Sequence, residues 1–477
     1  MLAVRNLCRP LSPVADPGEP GGYDPMIQRL IVSTFRLVAN TFFRHIEIGG
    51  IENVPEKGPV IFAGNHPNAL MDGWLLVAKC GRWPVFFLAN AKLWNYRFLV
   101  PLLNATGAVP VYRREEHGEN ADNSDAFARL YELLESGECI GIFPEGVSHV
   151  ESQLIKLKTG TARIALTVAD RGRTSVPIIP VGLNYIERHR FRSQAYIHFG
   201  EPIEIDDQWL GRFRDDAKQA ADDLTEHLGD VLRTLTVNAP DWRTFRITQT
   251  ARRLYKPATA QLTPGQYVRL NRRFVTQYLR DRDEPEVVAL TTDLENYQAR
   301  LDLLGLKDYQ LRKPVTPGVL FRKVLLRGLR MLILLPLAIP VAILHLPIGW
   351  TAAAVGTRFS YEEDDIATLK AFSSLLLLPL LYIVVAVAIV TLAGFWWGVL
   401  LLMLLPFSFF AAVRLIEAET GLLLSMVSVL RLAWLGREVE DLREVRADLV
   451  QRIRERVEKS ADPNLERIFT SDDFKAS

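Results

Sequence analysis

Short apolar segments alternate with amphipathic ones in the first half of the chain, whereas long uncharged stretches dominate the second half. Between residues 46 and 205 the short apolar segments predict strands, because turn-forming residues bound them. These strands lie around 59–63, 85–89, 108–111, 139–143, 177–183 and 195–199. The segments between them, such as 125–135 and 160–169, have helical composition. This alternation predicts an α/β domain over residues 46–235, with a central mixed sheet flanked by helices.

The sequence before this domain has two parts. Residues 1–25 are rich in proline and glycine and lack a continuous apolar stretch, which predicts a disordered leader rather than a signal peptide. Residues 26–45 predict an amphipathic helix, because apolar residues recur on one helical face. These residues are Ile27, Ile31, Phe35, Val38 and Phe42. Such a helix lies in a membrane interface, packs on the next domain, or does both.

Two stretches of the second half, 331–357 and 371–413, contain no Asp, Glu, Lys or Arg. A helix rises ~1.5 Å per residue, so about 20 residues cross a hydrocarbon core of ~30 Å. Residues 371–413 therefore predict a transmembrane helical hairpin that turns near Thr391–Phe395. Prolines interrupt the first stretch, and lysines and arginines flank both. Keeping these cations on one side of a membrane requires an even number of crossings, which predicts that 321–357 is re-entrant or interfacial.

Charged sequence lies on either side of these stretches. Residues 236–320 predict a helical connector, and residues 414–477 predict charged C-terminal helices. An apolar seam recurs in the second of these regions: Leu435, Val439, Leu442, Val445, Leu449, Ile453 and Val457. A seam this narrow either pairs with a second copy as a coiled coil, giving a homodimer, or packs against its own chain.

Composition narrows the class of protein. Of 477 residues, 49% are hydrophobic, which is high for a purely soluble chain. Lys and Arg total 56 against 55 for Asp and Glu, so the electrostatic signature of a general nucleic-acid binder is missing. The three cysteines, Cys8, Cys80 and Cys139, lie far apart, which argues against a disulfide framework or a zinc site and favours a reducing compartment. The uncharged stretches argue against a transporter.

The stretch Val60–Asp72 carries the strongest candidate chemistry. Its apolar residues predict a short buried strand, which a Gly-Asn-His-Pro sequence ends before a helical segment. His66 therefore lies where a strand ends and a helix begins, a common place for catalytic residues. Asp72 can hold one imidazole nitrogen and leave the other free to accept a proton. A His–Asp pair beside a turn also occurs as a capping or core pair.

Three further blocks follow apolar segments in a fixed order: Gly107–Arg113, Ile140–Ser148 and Val176–Gly182. Together with the first block they resemble the glycerolipid acyltransferase family, whose members carry an Asn-His…Asp block, a Gly…Arg block, a Phe-Pro-Glu-Gly…Ser block and a proline-bearing apolar strand. The resemblance covers about residues 40–210. Most of the family has four residues between His and Asp. Five separate His66 from Asp72, as in a subgroup that includes fungal glycerol-3-phosphate acyltransferases.

Acyl transfer from a thioester to an alcohol needs a base, a cation for a phosphate head group and donors for developing charge. The resemblance implies that His66 is the base and Asp72 its orienting partner, a role that the extra residue puts in question because it rotates a helical side chain by about 100°. It also implies that Arg113 binds phosphate bidentately. Glu145 then either accepts bonds from glycerol hydroxyls or orients Arg113.

The remaining residues of the blocks are expected to complete the same pocket. Gly146 offers a backbone N–H to the phosphate, and Ser148 offers a hydroxyl. Lys158 either makes a further phosphate contact or is a solvated lysine. By resemblance three residues shape the pocket and a fourth lies beside the acyl donor. Gly107, Phe143 and Pro144 are the residues that shape the pocket, and Pro180 is the residue beside the acyl donor.

The function that this resemblance implies is a membrane-bound O-acyltransferase of phospholipid biosynthesis. It would move a fatty acyl group from acyl-CoA or acyl-carrier protein to glycerol 3-phosphate or 1-acylglycerol 3-phosphate, without a metal or cofactor. A multi-pass membrane location with the catalytic domain on the cytoplasmic side is expected. The alternatives are an acyltransferase that remodels other lysophospholipids and a catalytically silent membrane scaffold with the same fold.

Overall fold

The computed structural model describes residues 25–95, 97, 100–112, 123–172, 176–258, 260–312, 317–360, 362–459 and 469. The predicted leader, apart from Pro25, lies outside the described residues. The chain divides into two compact units. The first contains Met1–Trp242, Leu262–Arg272 and Glu362–Thr368, and the second contains Arg243–Gln261, Arg273–Tyr361 and Leu369–Ser477.

A seven-stranded mixed sheet forms the centre of the first unit. Its strands are β1 (Phe43–Gly49), β2 (Val60–Gly64), β3 (Val85–Asn90), β4 (Val109–Val111), β5 (Cys139–Ile142), β6 (Ile178–Tyr185) and β7 (Ser193–Phe199). The order across the sheet is β1-β7-β6-β2-β5-β3-β4, and only β6 and β7 pair antiparallel. All six predicted strands are therefore confirmed, with ends shifted by one or two residues.

Helices cover this sheet, as the α/β prediction requires. They are α1 (Pro25–Phe42), α2 (Ala69–Lys79), α3 (Val100–Ala105), α4 (Ser124–Glu135), α5 (Gly160–Asp170), α6 (Asp207–Asp215) and α7 (Ala217–Leu235). Leu130 of α4, Ile164 of α5 and Leu224 of α7 are fully buried in one cluster with Ile61 of β2 and Ile140 of β5. The core thus lies between the central strands and these helices, where burial of apolar side chains holds the ends of the strands in place.

The prediction for residues 26–45 needs a correction at its C-terminal end. Helix α1 ends at Phe42, and the chain continues as β1, an edge strand that pairs in parallel with β7. The charged and half-exposed residues of β1 conceal its strand pattern in the sequence. The apolar face of α1 packs on α2, where Phe35 stacks on Trp74 with ring centroids 5.3 Å apart. The packed alternative is therefore what the structure shows.

The second unit is helical. It contains most of α8 (Trp242–Tyr255), the C-terminal half of α9 (Pro264–Asp281), α10 (Pro285–Leu304), α11 (Asp308–Leu311), α12 (Pro317–Arg358), most of α13 (Asp365–Ala393), and α14 (Phe395–Lys459), with a kink at Gly436. The predicted connector is accordingly helical. Helix α12 is continuous and does not reverse the chain, so it does not have the re-entrant form, and the interfacial alternative for residues 321–357 stays a prediction. Proline removes one hydrogen bond and bends a helix without necessarily ending it.

The apolar seam of the C-terminal tail packs inside its own chain. Leu442, Leu449 and Ile453 are buried in one cluster with Leu294 and Tyr297 of α10. Of the two alternatives for this seam, the structure shows packing against its own chain, and a homodimer through this face is not shown.

One helix among the described residues, α13, is long and apolar enough to cross a membrane. The described apolar part of α14, Phe395–Phe410, spans about 24 Å, which is short of a ~30 Å hydrocarbon core. The first arm of the predicted hairpin is therefore found, and the hairpin as a whole is not confirmed. Gly394, with φ of 101°, separates the two helices where the turn was predicted.

Candidate active site

Three neighbouring parallel strands end at one edge of the sheet. Strand β2 lies between β5 and β6, and every residue from Val60 to Ala63 is fully buried. Because the carboxyl ends of parallel strands meet at the same edge, the residues that follow them come together. His66 follows β2, Phe143 follows β5, and Tyr185 ends β6.

The imidazole of His66 is paired with Asp72. Nδ1 of His66 lies 2.9 Å from Oδ2 of Asp72, whose side chain is fully buried, whereas 16% of the His66 side chain is exposed. A carboxylate accepts a hydrogen bond and cannot donate one, so the pairing assigns the proton to Nδ1. Nε2 is then left unprotonated, as a general base requires.

The extra residue between His66 and Asp72 is absorbed by the backbone at the start of α2. Ala69 has φ of 44°, in the left-handed region that an alanine adopts at a cost of roughly 1–2 kcal/mol. The N–H of Asn68 donates to Oδ2 of Asp72 at 2.7 Å and the N–H of Met71 donates to the carbonyl of Asn68 at 3.0 Å. These bonds hold the strained turn, and Asp72 reaches His66 despite the changed spacing.

Asp72 accepts a third hydrogen bond, from the hydroxyl of Tyr185 to Oδ1 at 2.6 Å. Burial raises the pKa of the Asp72 carboxyl, although the bonds from His66, Tyr185 and Asn68 oppose that rise. Burial and the neighbouring carboxylate also raise the pKa of Tyr185, so the phenol keeps its proton and remains a donor. The carboxylate is thus fixed from three sides and fixes the imidazole in turn.

Phe143 lies flat against the imidazole. Its ring stacks on His66 with centroids 4.0 Å apart and an interplanar angle of 7°, and it stacks in turn near Phe87 at 5.9 Å. Gly141 leaves the space for Phe87, since a Cβ there would lie 2.3 Å from that ring. The Phe143 ring therefore limits rotation of the His66 imidazole. Its role in shaping the pocket stays a prediction.

Glu145 supports the backbone of the His66 loop. The carboxylate is 1% exposed, and its Oε2 accepts from the N–H of His66 at 2.7 Å. Oε1 accepts from the N–H of Ile155 at 3.4 Å and lies 2.8 Å from Nε2 of His149. Both oxygens have partners among the described residues, and a role of Glu145 towards glycerol hydroxyls or towards Arg113, which lies outside them, stays a prediction. It is a positioning residue for His66.

The turn after Glu145 differs in one respect from the prediction. The N–H of Gly146 donates to the carbonyl of Phe143 at 2.9 Å, so it is not available to a phosphate. Gly146 has φ of 75°, and the aliphatic end of the Lys158 side chain covers it. The backbone N–H of Lys158 donates to the carbonyl of Pro144 at 2.7 Å. Lys158 therefore lies beside this turn, and its contact with a phosphate stays a prediction. Ser148 is partly exposed, two residues after Gly146.

The remaining predicted residues belong to other strands and turns of the sheet or lie outside the described residues. Gly107, with φ of 63°, forms the turn before β4. Pro180 is buried within β6, where it pairs with Ala63 of β2. Arg113 lies outside the described residues, and its role as the phosphate-binding residue stays a prediction.

Three residues beside His66 were not predicted from the sequence. Tyr185 binds Asp72, as described above. His149 donates its backbone N–H to the carbonyl of His66 at 3.1 Å, and Nη1 of Arg188 lies 3.4 Å from the carbonyls of Pro67 and His149. Their signal in the sequence is weak, since each follows a recognised block by a few residues without belonging to its motif.

Comparison with known proteins agrees with this geometry. The family model described as "Acyltransferase" matches residues 45–184, and the model of the "Glycerol-3-phosphate acyltransferase 2 C-terminal domain" matches residues 247–466. The chain is 31% identical to glycerol-3-phosphate O-acyltransferase 2 of Saccharomyces cerevisiae and 33% identical to glycerol-3-phosphate O-acyltransferase 1 of that yeast. Each alignment covers 56% of this chain, and 38% and 37% of the two relatives.

A third relative is a bacterial protein. The chain is 30% identical to the 1-acyl-sn-glycerol-3-phosphate acyltransferase of Borreliella burgdorferi, over 34% of this chain and 62% of that protein. The chain thus spans less than two fifths of the length of the two yeast relatives.

Proposed function

We propose that this chain, which belongs to the glycerolipid acyltransferase family by both of its matched domains, transfers a fatty acyl group to the hydroxyl of a glycerol phosphate. Glycerol 3-phosphate and 1-acylglycerol 3-phosphate are the two acceptors that the names of its relatives suggest. The donor is a thioester, acyl-CoA or acyl-carrier protein. No metal or cofactor enters the proposal.

The paired His66 and Asp72 carry this proposal. The acceptor hydroxyl attacks the thioester carbonyl while Nε2 of His66 takes its proton, and a C–O bond forms. Asp72 stabilises the imidazolium that results. When the tetrahedral intermediate collapses, the C–S bond breaks and His66 returns the proton to the departing sulfur. The acceptor itself is the nucleophile, so the enzyme needs no serine.

The same observation favours an enzyme over a silent scaffold. A scaffold has no need for a strained turn, three hydrogen bonds to Asp72 and a ring stacked on His66, all of which fix one imidazole. The choice between a phosphate acceptor and another lysophospholipid rests on the cations near the site and not on His66.

The test is an acyl-transfer assay on the purified full chain in detergent or vesicles. Labelled acyl-CoA and acyl-carrier protein are offered with glycerol 3-phosphate, lysophosphatidate and lysophosphatidylcholine, and the products are identified. Transfer to either phosphate monoester, lost in His66→Ala, is the expected result. Transfer to lysophosphatidylcholine alone would favour the remodelling alternative, and no transfer to any acceptor would favour the scaffold.

Membrane attachment is part of the proposal, and α13 is its principal support. We retain a multi-pass arrangement with a cytoplasmic catalytic unit as the finer proposal, since the basic flanks require an even number of crossings. A homodimer through the C-terminal helix is left out because that seam is buried. Single cysteines placed beside Arg322 and Arg437 should both remain unlabelled by an impermeant reagent in intact cells, and both should react with it in opened vesicles. Reaction of only one of them in intact cells would show an odd number of crossings between these positions.

A further inference from the structure

Arg188 is a half-buried guanidinium at the edge of the site, and no motif in the sequence assigns it a role. It lies three residues after the end of β6. Its Nη1 contacts the carbonyls of Pro67 and His149 at 3.4 Å, the long end of the hydrogen-bond range. Within the part of the chain that the structure describes, it has no carboxylate within the 4.0 Å of an ion pair.

The guanidinium also lies over the ring of Trp242, 5.9 Å from its centroid, but this contact supplies no anion. Removing a guanidinium from water is unfavourable unless an anion or several hydrogen bonds replace the water. The two carbonyls that Arg188 contacts belong to the loops of His66 and His149, so the guanidinium lies beside the base. Its planar fork of donors matches the oxygens of a phosphate.

An acidic strap, Glu362–Asp365, joins α12 to α13 and belongs to the same compact unit as β2 and β6. Asp364 is 2% exposed, and its Oδ1 has no hydrogen-bond partner among the described residues. The carboxylates of Glu363 and Asp364 both act electrostatically on Arg188, as does Asp72. The strap therefore places negative charge near Arg188, and none of the ion pairs found among the described residues joins the two.

We propose that Arg188 binds the phosphate monoester of the acyl acceptor, and that Glu363 and Asp364 weaken this binding by competing for the same cation. The inference rests on the proposed function and names the residue that recognises its substrate. It also gives the segment between α12 and α13 a role, since its position would set the affinity for the acceptor.

The first test measures binding without turnover. Glycerol 3-phosphate and inorganic phosphate are titrated calorimetrically into the full chain, with glycerol as the uncharged comparison. Arg188→Ala should weaken binding of both phosphates by roughly ten- to hundred-fold, and Arg188→Lys should recover part of the loss. Arg190→Ala is the matched control, because Arg190 is two-thirds exposed and already pairs with Glu187 at 2.6 Å. Its affinity should equal that of the wild type.

The second test concerns the strap. Glu363→Gln and Asp364→Asn should each tighten binding of glycerol 3-phosphate by about two- to five-fold, since each removes a competing charge. Glu362→Gln is the control, because that carboxylate acts on Asp365 and is not among the main charges that act on Arg188. Equal affinities for all three variants and the wild type would overturn the competition.

A turnover measurement separates binding from a structural role. If Arg188 only clamps the two loops, Arg188→Ala should raise the Michaelis constants of acyl donor and acceptor alike, or lower kcat. If it binds phosphate, only the acceptor constant for glycerol 3-phosphate or lysophosphatidate should rise. Unchanged phosphate binding in Arg188→Ala would overturn the inference even if acyl transfer is confirmed, and weakened phosphate binding would support it even if the acyl acceptor is another lipid.

Discussion

Asp72 in the first unit and Asp308 in the second are both fully buried carboxylates, and each accepts a hydrogen bond from a tyrosine hydroxyl. Their other side-chain partners differ. Asp72 binds the imidazole of His66 at 2.9 Å. Asp308 binds the guanidinium groups of Arg312 at 3.2 Å and Arg446 at 2.9 Å.

The difference lies in what the partner can do with a proton. A guanidinium keeps its charge at every accessible pH, so the Asp308 cluster can only hold α11 and α14 together. An imidazole exchanges a proton near neutral pH, and 16% of the His66 side chain is exposed to solvent. Burial of an aspartate is therefore a poor guide to function, whereas the proton-exchange capacity and exposure of its partner are good ones.

The largest expected effect is on turnover. His66→Ala should lower kcat by up to about 10⁴-fold, because it removes the general base, while the unfolding midpoint stays within a few degrees of the wild type. Radiolabelled acyl transfer and thermal unfolding of the full chain measure the two quantities. Retained turnover in this variant would remove the distinction between the two aspartates.

Asp308→Ala should show the opposite pattern. It leaves two mostly buried arginines without their carboxylate, which costs roughly 3–5 kcal/mol of stability. Denaturant unfolding of the full chain measures this loss. The catalytic rate per folded molecule should match the wild type, and a rate defect in fully folded protein would give Asp308 a functional role.

The two tyrosines offer a smaller and closely matched pair of changes. Tyr185→Phe removes one of three hydrogen bonds that fix Asp72, so kcat should fall about tenfold with little change in stability. Tyr297→Phe removes the equivalent bond to Asp308 and should cost about 1 kcal/mol of stability with no change in kcat. The kcat and the free energy of unfolding of both variants, measured side by side, test this difference. Identical profiles would contradict the assignment of different roles.

The smallest effect concerns His149 and pH. Burial lowers the pKa of His149, but contact with Glu145 and the charge of Glu151 outweigh this and raise it above the ordinary value of 6.5. The folded state then binds the proton more tightly than the unfolded state. The resulting stability is fully present below pH 6.5 and is lost as pH rises through the raised value. The melting temperature of the wild type should therefore fall relative to that of His149→Gln over this range, and a constant difference would refute the ion pair with Glu145.

Much of the catalytic unit followed from the sequence alone. Continuous apolar segments such as Val60–Ala63 predict buried strands, since only a strand covered on both faces has so few polar positions. The His66 and Asp72 pair lies within one strand-to-helix connection, so both residues and their partnership could be read locally. The apolar part of α13, from residue 371 onward, could be read in the same way, because it is one continuous segment without charged residues.

Only the tertiary structure decided which distant groups meet. The neighbours of β2 are strands that begin 79 and 118 residues after it, and this order brings Glu145 to the N–H of His66 and Tyr185 to Asp72. The apolar seam of the C-terminal tail was likewise compatible with two arrangements, a coiled coil with a second copy and packing against its own chain. The structure shows the second arrangement, with Leu442 and Leu449 packed on α10. A hydrophobic pattern determines which face of an element is buried, but the partner of that face depends on the topology of the whole chain.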